Sequence, residues 1–229
     1  MSAPVVVLFD IDGTLLSTGG ASLRALARAF EHVLGVRPSF TGYRFDGATD
    51  PAIVRDLLRR LDRPDDAGTA GAVLDAYVEI LPAQLAGASG YRLLPGVVET
   101  LSALAASGRA IGLCTGNVVR GARAKLSRGG LWERFPFGGF GSDAERRDEI
   151  VRAAVSRAAE AIGRPLSPSE LLVVGDTPRD VAAAEAAGVP CLAVASGRYS
   201  VEELRAAGAT QVVASLATAE AHRWLGGPA

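Results

Sequence analysis

Two aspartates, two residues apart, follow an apolar run near the start of the chain. Asp10 and Asp12 come directly after the residues Val-Val-Val-Leu-Phe at 5–9. Because alternate residues of a strand point to the same side, both carboxylates are expected to face one reaction centre. Like charges this close repel each other and raise one pKa unless a cation or a shared proton intervenes. The pair is therefore typical of a site that takes a metal ion together with a substrate oxyanion.

A second polar group follows the apolar run at 110–114. Thr115, Gly116 and Asn117 lie there, at the start of a predicted helix. Ligands of open parallel sheets bind at the carboxyl ends of the strands, and helix N-H groups can hold a phosphate. From these residues alone, two interpretations of Thr115 stay open: a phosphate-binding hydroxyl, or a helix cap beside a tight turn.

A third polar group follows the apolar run at 171–174. Thr177, Pro178 and Asp180 form a capping-box pattern, so helix capping explains Asp180 completely. Asp176 precedes the cap, at the end of the predicted strand, and capping does not explain it. We therefore expect Asp176 to serve the site that contains Asp10 and Asp12.

The pattern of apolar runs predicts the sheet that would bring these residues together. Short apolar runs alternate with stretches of helical periodicity, which favours an α/β fold with a doubly wound, mostly parallel sheet. Glycines end three of the helical stretches, at Gly108, Gly188 and Gly208. The predicted strands are 5–9, 110–114, 137–141, 171–174, 191–195 and 211–214.

One interval is too long for a crossover between neighbouring strands. About eighty residues separate the first strand from the turn at 94–96, with no convincing strand among them. Helical patterns occur there at 21–34, 51–61 and 70–85. The chain is therefore predicted to consist of a core, residues 1–16 and 94–229, and an inserted helical subdomain, residues 17–93.

Composition excludes several classes of function. The chain has 229 residues, of which 48% are hydrophobic, so it can bury a full core. A net charge of -1 gives no electrostatic reason to bind nucleic acid or an anionic membrane. We expect a soluble cytoplasmic protein, because Cys114 and Cys191 are too few for a disulfide framework and neither a secretion signal nor a spanning apolar run is evident.

The string Phe-Asp-Ile-Asp-Gly-Thr at 9–14 resembles the first signature of the haloacid dehalogenase superfamily, in its phosphoglycolate-phosphatase-like branch. The resemblance implies a Rossmann-like core and a helical C1 cap in the gap described above. It implies that Asp10 is the nucleophile and that Asp12 is the general acid and base. It also implies Mg²⁺ held by Asp10, the backbone carbonyl of Asp12, and Asp176, with Thr14 and Asp180 in supporting positions.

The other motifs of the family match less closely. The resemblance tips Thr115, with Gly116 and Asn117, toward phosphate binding. The family's third motif supplies a basic residue, usually lysine; here Arg147 is preferred for that role over Arg146, although the segment also fits an ordinary charged helix start. Lys125 is expected at the surface.

His32 and His222 are isolated residues without ligand spacing, so no zinc site is predicted.

The segment at 44–51 resembles the loop that reaches toward the substrate in related phosphatases. Arg44, Asp46, Thr49 and Asp50 are the specificity candidates in it. Thr49 or Asp50 followed by Pro51 is an equally good helix start.

The motifs together favour a Mg²⁺-dependent phosphatase that hydrolyses a small phosphomonoester, phosphoglycolate-like or a sugar phosphate, through an aspartyl-phosphate. The alternatives are a phosphomutase of the same family and, from another class, a non-catalytic phosphate-sensing module. The expected partner is a small phosphorylated metabolite, with neither nucleic acid nor membrane, and the expected state is a monomer or a homodimer.

Overall fold

A parallel sheet forms the centre of the protein, whose computed structural model describes residues 4–225. Within those residues the sheet has six strands in the order β5-β4-β1-β6-β7-β8. Their bounds are β1 (Val6–Phe9), β4 (Ala110–Cys114), β5 (Gly138–Gly139), β6 (Leu171–Gly175), β7 (Cys191–Val194) and β8 (Gln211–Val213). The predicted mostly parallel sheet is confirmed, although the strand expected at 137–141 is reduced to two residues.

β1 lies in the middle of the sheet, between β4 and β6. Val6 pairs with Ala110 on one side and with Leu171 on the other. The chain leaves β1 toward one edge and later returns to its other side, so the direction of winding changes there. Ligands of open α/β sheets bind at such a switch point, beyond the carboxyl ends of the strands. Asp10, directly after β1, lies at that place.

Helices cover both faces of the sheet. They are α4 (Val97–Ala106), α5 (Val119–Arg128), α6 (Arg147–Ile162), α7 (Pro178–Ala186), α8 (Val201–Ala206) and α9 (Ala219–Trp224). Alternate residues of β1 point to opposite faces, so Val7 and Phe9 pack in one hydrophobic cluster while Val6 and Leu8 pack in another. None of the helices within residues 4–225 has the length and apolar composition needed to cross a membrane.

A helical unit, here called the lid, is inserted after the first strand. It contains α1 (Ala21–Leu34), α2 (Asp50–Arg60) and α3 (Ala67–Ala86), close to the three predicted helical patterns. A separate hydrophobic cluster holds these helices together, with Phe30, Leu57 and Leu81 fully buried in it. The predicted subdomain boundaries at 17 and 93 lie in the connection described next and stay a prediction.

Two short strands connect the lid to the core. β2 (Leu16–Thr18) and β3 (Tyr91–Leu93) pair antiparallel. The expectation that this interval contains no strand is wrong, because three residues are too few to show an alternating pattern and the pairing partner is distant in sequence. The two backbones approach so closely beyond the ribbon that a Cβ on Gly19 would lie 2.4 Å from the backbone of Gly90.

Candidate active site

Three buried carboxylates converge at the carboxyl ends of β1 and β6. Asp10 follows β1, Asp176 follows β6, and Asp180 lies in the first turn of α7. Each residue is 5% exposed or less. Each offers an oxygen within 4.8 Å of the others, an arrangement that could hold a metal ion.

The electrostatics of this cluster favour a cation. Burial raises the pKa of the Asp10 carboxyl to about 6; the Arg147 guanidinium lowers it, and the nearby Asp180 and Asp12 carboxylates raise it. Burial, followed by the proximity of Asp180 and Asp10, raises the pKa of Asp176 well above its usual value. Bringing several charges of one sign into a buried site is unfavourable unless an opposite charge compensates them.

Arg147 supplies part of that compensation from the N-terminus of α6. Its Nη2 lies 3.2 Å from Oδ1 of Asp10 and also donates to Oδ1 of Asp180. Arg146 is different, since its side chain is 72% exposed and pairs with Asp148 on the surface. Of the two arginines considered from the sequence, the fold brings Arg147 to the carboxylates.

Asp180 has two local roles as well as its place in the cluster. Its Oδ2 accepts hydrogen bonds from the backbone N-H and the hydroxyl of Thr177, which confirms the predicted capping box. Its Oδ1 is occupied by Arg147. With both oxygens engaged, Asp180 is suited to orienting the site or to binding a metal through water.

The carboxylate of Asp176 rests in a cradle of small residues. Thr14 donates to its Oδ1 over 3.1 Å, as expected for a supporting residue. A Cβ on Gly13 would lie 2.2 Å from its Oδ2, and one on Gly197 would lie 1.8 Å from the same atom. Ser196 ties the two loops together by donating to the carbonyl of Gly13 over 2.8 Å. Larger residues at the two glycines would therefore displace Asp176.

This donor set fits Mg²⁺. The ion prefers hard oxygen ligands and is commonly held in proteins by one or two carboxylates together with substrate phosphate. Asp10 and Asp176 offer carboxylate oxygens at a buried position with an unbalanced negative charge. The predicted contribution of the Asp12 backbone carbonyl stays a prediction.

Asp12 is held by two residues of the core. Lys125 Nζ lies 2.6 Å from Asp12 Oδ2, and the Asn117 side-chain amide donates to the same oxygen over 2.8 Å. Lys125 also donates to Oδ1 of Asn117, which closes a three-residue network. The side chain of Asp12 is 41% exposed, and it lines the cavity described below.

The expectation that Lys125 lies at the surface is wrong, since its side chain is 3% exposed. It belongs to the inward stripe of α5, together with Gly121, Ala122 and Leu126. Burial by itself would lower the pKa of Lys125, but the Asp12 carboxylate raises it above its usual value, so the ammonium stays charged. That helical stripe was the signal in the sequence that could have identified it.

The structure decides one of the two interpretations of Thr115. It does not cap α5, whose N-cap residue is Val118, so the helix-cap interpretation is wrong. Its hydroxyl oxygen accepts from the backbone N-H and the side-chain amide of Asn117, over 3.3 and 2.8 Å. Thr115 is fully buried, whereas Gly116 and Asn117 line the cavity. Phosphate binding by these three residues stays a prediction.

A cavity of about 590 Å³ lies between lid and core. Asp10, Asp12 and Asp176 line its core side. Two of the four lid candidates, Asp46 and Asp50, line its other side. A volume of this size lies in the range of small-molecule sites.

The other two lid candidates do not reach the cavity lining. Arg44 is exposed and donates to the Tyr199 hydroxyl over 3.4 Å. Thr49 caps α2, as the helix-start interpretation predicted, and its hydroxyl donates to the carbonyl of Glu145 over 3.1 Å. Both residues therefore join lid to core.

Asp50 connects the lid to the same loop that carries Asn117. Its backbone N-H donates to the carbonyl of Gly116 over 2.8 Å, and its carboxylate accepts from the backbone N-H of Val118 over 2.9 Å. Burial raises the pKa of Asp50 to about 6, while the Lys125 ammonium and the Val118 hydrogen bond lower it. A lid carboxylate is thus coupled to the network around Asp12.

Several residues that line the cavity had no motif to identify them. Arg92 lies in β3, Tyr77 comes from α3, and Ser196, Gly197 and Arg198 come from the loop after β7. They come from three separate segments, and no sequence signal relates any of these segments to the site, so only the folded chain identifies them.

Comparisons with known proteins agree with this geometry. Residues 5–188 match the family model of haloacid dehalogenase-like hydrolases. The chain is 32% identical to the phosphoglycolate phosphatase of Rhodospirillum rubrum over 98% of its own length and 92% of that protein. It is 28% identical to the phosphoglycolate phosphatase of Caulobacter vibrioides, over 91% of this chain and 86% of that one.

Solved structures show the same fold. A crystal structure named as a predicted phosphatase from Clostridium acetobutylicum superposes with a TM-score of 0.74, covering 97% of this chain and 98% of that one. At 21% identity the likeness concerns the fold alone.

Proposed function

Because the chain belongs to the haloacid dehalogenase-like hydrolases, and is thus an enzyme of that family, we propose that it is a Mg²⁺-dependent phosphatase. Its substrate would be a small phosphomonoester, hydrolysed through an aspartyl-phosphate. The observation that carries the proposal is the convergence of Asp10, Asp176 and Arg147 at the mouth of β1, beside a cavity that Asp12 also lines.

Asp10 is the nucleophile of this proposal. One of its oxygens attacks phosphorus in line, and the bond to the leaving oxygen breaks, which divides a difficult hydrolysis into two displacements. Arg147 keeps the carboxylate in one orientation through the contact with its Oδ1. Water then attacks the phosphorus of the aspartyl-phosphate and releases inorganic phosphate.

Asp12 is the proton carrier of both steps. It gives a proton to the leaving alkoxide and takes one from the attacking water. A positioned general acid or base contributes about 10²–10⁴ to the rate. Its position in the cavity lining supports this role, and so does its partial exposure, because it must exchange protons with substrate and water.

The remaining residues bind the phosphoryl oxygens. Arg147 would donate to them from one side, and the Thr115 hydroxyl and the N-H groups near Gly116 and Asn117 from another. Mg²⁺, held by Asp10, Asp176 and the carbonyl of Asp12, would supply electrostatic stabilisation of the charge on the transferring group.

The substrate is proposed to be phosphoglycolate-like or a sugar phosphate. Relatives named phosphoglycolate phosphatase at 32% identity support the first choice. Arg92 and Arg198 at the cavity wall add positive charge that suits an anionic leaving group. Two free, buried cysteines, Cys114 and Cys191, support a reducing cytoplasmic setting.

The test is phosphate release from a panel of phosphomonoesters that includes 2-phosphoglycolate and several sugar phosphates. We expect release that requires Mg²⁺, stops with a chelator, and is absent from Asp10→Asn. Conversion of a sugar phosphate to its isomer, primed by the bisphosphate and without phosphate release, would indicate a phosphomutase. Binding of phosphate without turnover of any ester would indicate a sensing module.

A further inference from the structure

The two carboxylate oxygens of Asp12 differ in their hydrogen-bond partners. Oδ2 accepts hydrogen bonds from the Lys125 ammonium and the Asn117 amide. Among the described residues, no side chain donates to Oδ1. When one oxygen of a carboxyl group accepts two hydrogen bonds, the group is held in one plane. A proton that it takes up then binds the other oxygen.

We infer that Lys125 is a positioning residue for Asp12. This role rests on the function proposed above. Lys125 and Asn117 hold Oδ2 of Asp12, so that Oδ1 is the atom that exchanges the proton with the leaving group and with water. Lys125 itself touches neither phosphorus nor the attacked oxygen. It is a component of this site that no motif of the sequence revealed.

The surroundings of Lys125 argue against a direct role in binding substrate. Its ammonium is already paired with Asp12 and bonded to Asn117, and the half-buried Asp50 carboxyl adds a second negative group nearby. An anionic substrate group would have to compete with these carboxylates. Arg92 at the cavity wall offers such a group a cationic partner instead, whereas Arg198, which also lines the cavity, lies 3.4 Å from the Asp46 carboxylate.

A role in folding alone is also a poor explanation. Asp12 is 41% exposed, so an uncharged residue at 125 leaves its carboxylate hydrated and not buried without a partner. A methionine has nearly the length of lysine and suits the inward stripe of α5, next to Leu126. Lys125→Met is therefore expected to fold.

The test compares Lys125→Met with Arg123→Met, an exposed position on the same helix. Two substrates are used: 2-phosphoglycolate, whose leaving group needs protonation, and 4-nitrophenyl phosphate, whose leaving group does not. Misplacing a catalytic group by about 1 Å can reduce the rate about 10²-fold. For 2-phosphoglycolate, the alkyl ester of the two substrates, we expect kcat to fall about 10²-fold in Lys125→Met. In Arg123→Met we expect it to stay near the wild-type value.

The first turnover of 4-nitrophenyl phosphate separates positioning from general damage. Nitrophenolate release in the first turnover reports formation of the aspartyl-phosphate, which does not require Asp12 for this leaving group. It should stay within about threefold of the wild-type rate in Lys125→Met, while later turnovers slow because hydrolysis of the intermediate requires Asp12. Equal losses for both substrates in the first turnover would overturn the inference.

A double substitution shows whether Lys125 acts through Asp12. In an Asp12→Ala background, Lys125→Met should change the alkyl-ester rate by less than about threefold, because the group it positions is gone. Fully multiplicative losses would overturn the inference while the phosphatase proposal stands. A wild-type protein that releases phosphate from none of the esters would overturn the phosphatase proposal, and the inference with it.

Discussion

The guanidinium of Arg147 lies 3.2 Å from Oδ1 of Asp10, across the gap between α6 and the end of β1. The same group contacts Asp180, so one buried cation serves two buried carboxylates. Guanidinium can form two parallel hydrogen bonds and stays charged at any working pH. The chain therefore compensates part of its own negative cluster with an arginine where the family usually supplies lysine.

Removing this arginine should affect stability as well as activity. Arg147→Ala leaves two buried carboxylates with one fewer partner, and breaking a buried pair typically destabilises a protein by about 3–5 kcal/mol. We expect a loss of this size in the free energy of unfolding at pH 7.5 with chelator present, measured by urea denaturation. Arg146→Ala, at an exposed neighbouring position, should leave the free energy of unfolding nearly unchanged. Similar values for the two variants would contradict the assignment.

Asp12 should be needed most for poor leaving groups. Asp12→Ala is expected to lower kcat for an alkyl phosphate by about 10²–10⁴, the range of one general acid. Mg²⁺ affinity should change little, because the side chain of Asp12 lies outside the carboxylate cluster of Asp10, Asp176 and Asp180. Steady-state rates and a Mg²⁺ titration followed by thermal unfolding measure the two effects. Wild-type turnover of the alkyl ester by this variant would refute the role of Asp12.

The raised pKa of Asp10 predicts a pH-dependent stability. In the folded protein its pKa is about 6, against the usual 3.8, so the folded state binds this proton more tightly than the unfolded chain. The resulting stabilisation is present below about pH 4 and is lost as the pH rises through about 6. The difference between a pKa of about 6 in the folded state and the usual 3.8 corresponds to up to about 3 kcal/mol of stability.

Asp10→Asn removes that ionisation. In the presence of chelator, the variant should therefore be more stable than the wild type at pH 7.5 and about equal to it near pH 4. Thermal unfolding across this pH range measures the difference. Glu149→Gln, a half-exposed position in the first turn of α6, serves as the control that should not change the pH profile. A parallel profile for Asp10→Asn and the wild type would contradict the pKa argument.

The cradle of Asp176 predicts which glycine controls metal binding. Gly197→Ala places a methyl carbon 1.8 Å from Asp176 Oδ2 unless something moves. We expect Mg²⁺ to raise the unfolding temperature of the wild type, because a ligand that binds only the folded state stabilises it. In Gly197→Ala this increase should be largely lost.

The matched control for that substitution is Gly71→Ala in α3, where an added Cβ meets nothing within 4 Å. Alanine there should stabilise the helix by about 0.5–1 kcal/mol and leave the Mg²⁺ response intact. A full Mg²⁺ response in Gly197→Ala would show that Asp176 is not the ligand.

The sheet could be predicted because each of its strands is a local signal. A buried strand gives a short apolar run in the sequence, as at Val6–Phe9 and Leu171–Gly175. Glycines that end helices indicate where the crossovers return to the sheet. The ribbon of β2 and β3 could not be predicted, since three-residue strands have no period and depend on a partner more than seventy residues away. Elements that depend on residues close in sequence could therefore be predicted, and elements that depend on a distant partner could not.

Some residues of the candidate site could likewise be predicted from the sequence, and others could not. Asp10, Asp12 and Asp176 could be identified from the sequence because each lies just after a strand, and the sheet brings strand ends together whatever the side chains are. Lys125 could not be identified in this way. Its role depends on the rotation of α5 against β1, which points one member of the helix inward to Asp12.

The order of residues along the chain thus determined which chemical groups stand at strand ends and that a helical insertion covers them. The packing of helices and loops against the sheet decided which arginine meets Asp10, which glycines leave room for Asp176, and which lid residues reach the cavity. The physical reason is that the periodicity of a helix or strand depends on residues that are neighbours in sequence. An ion pair or a steric clearance depends on two segments that meet only after folding.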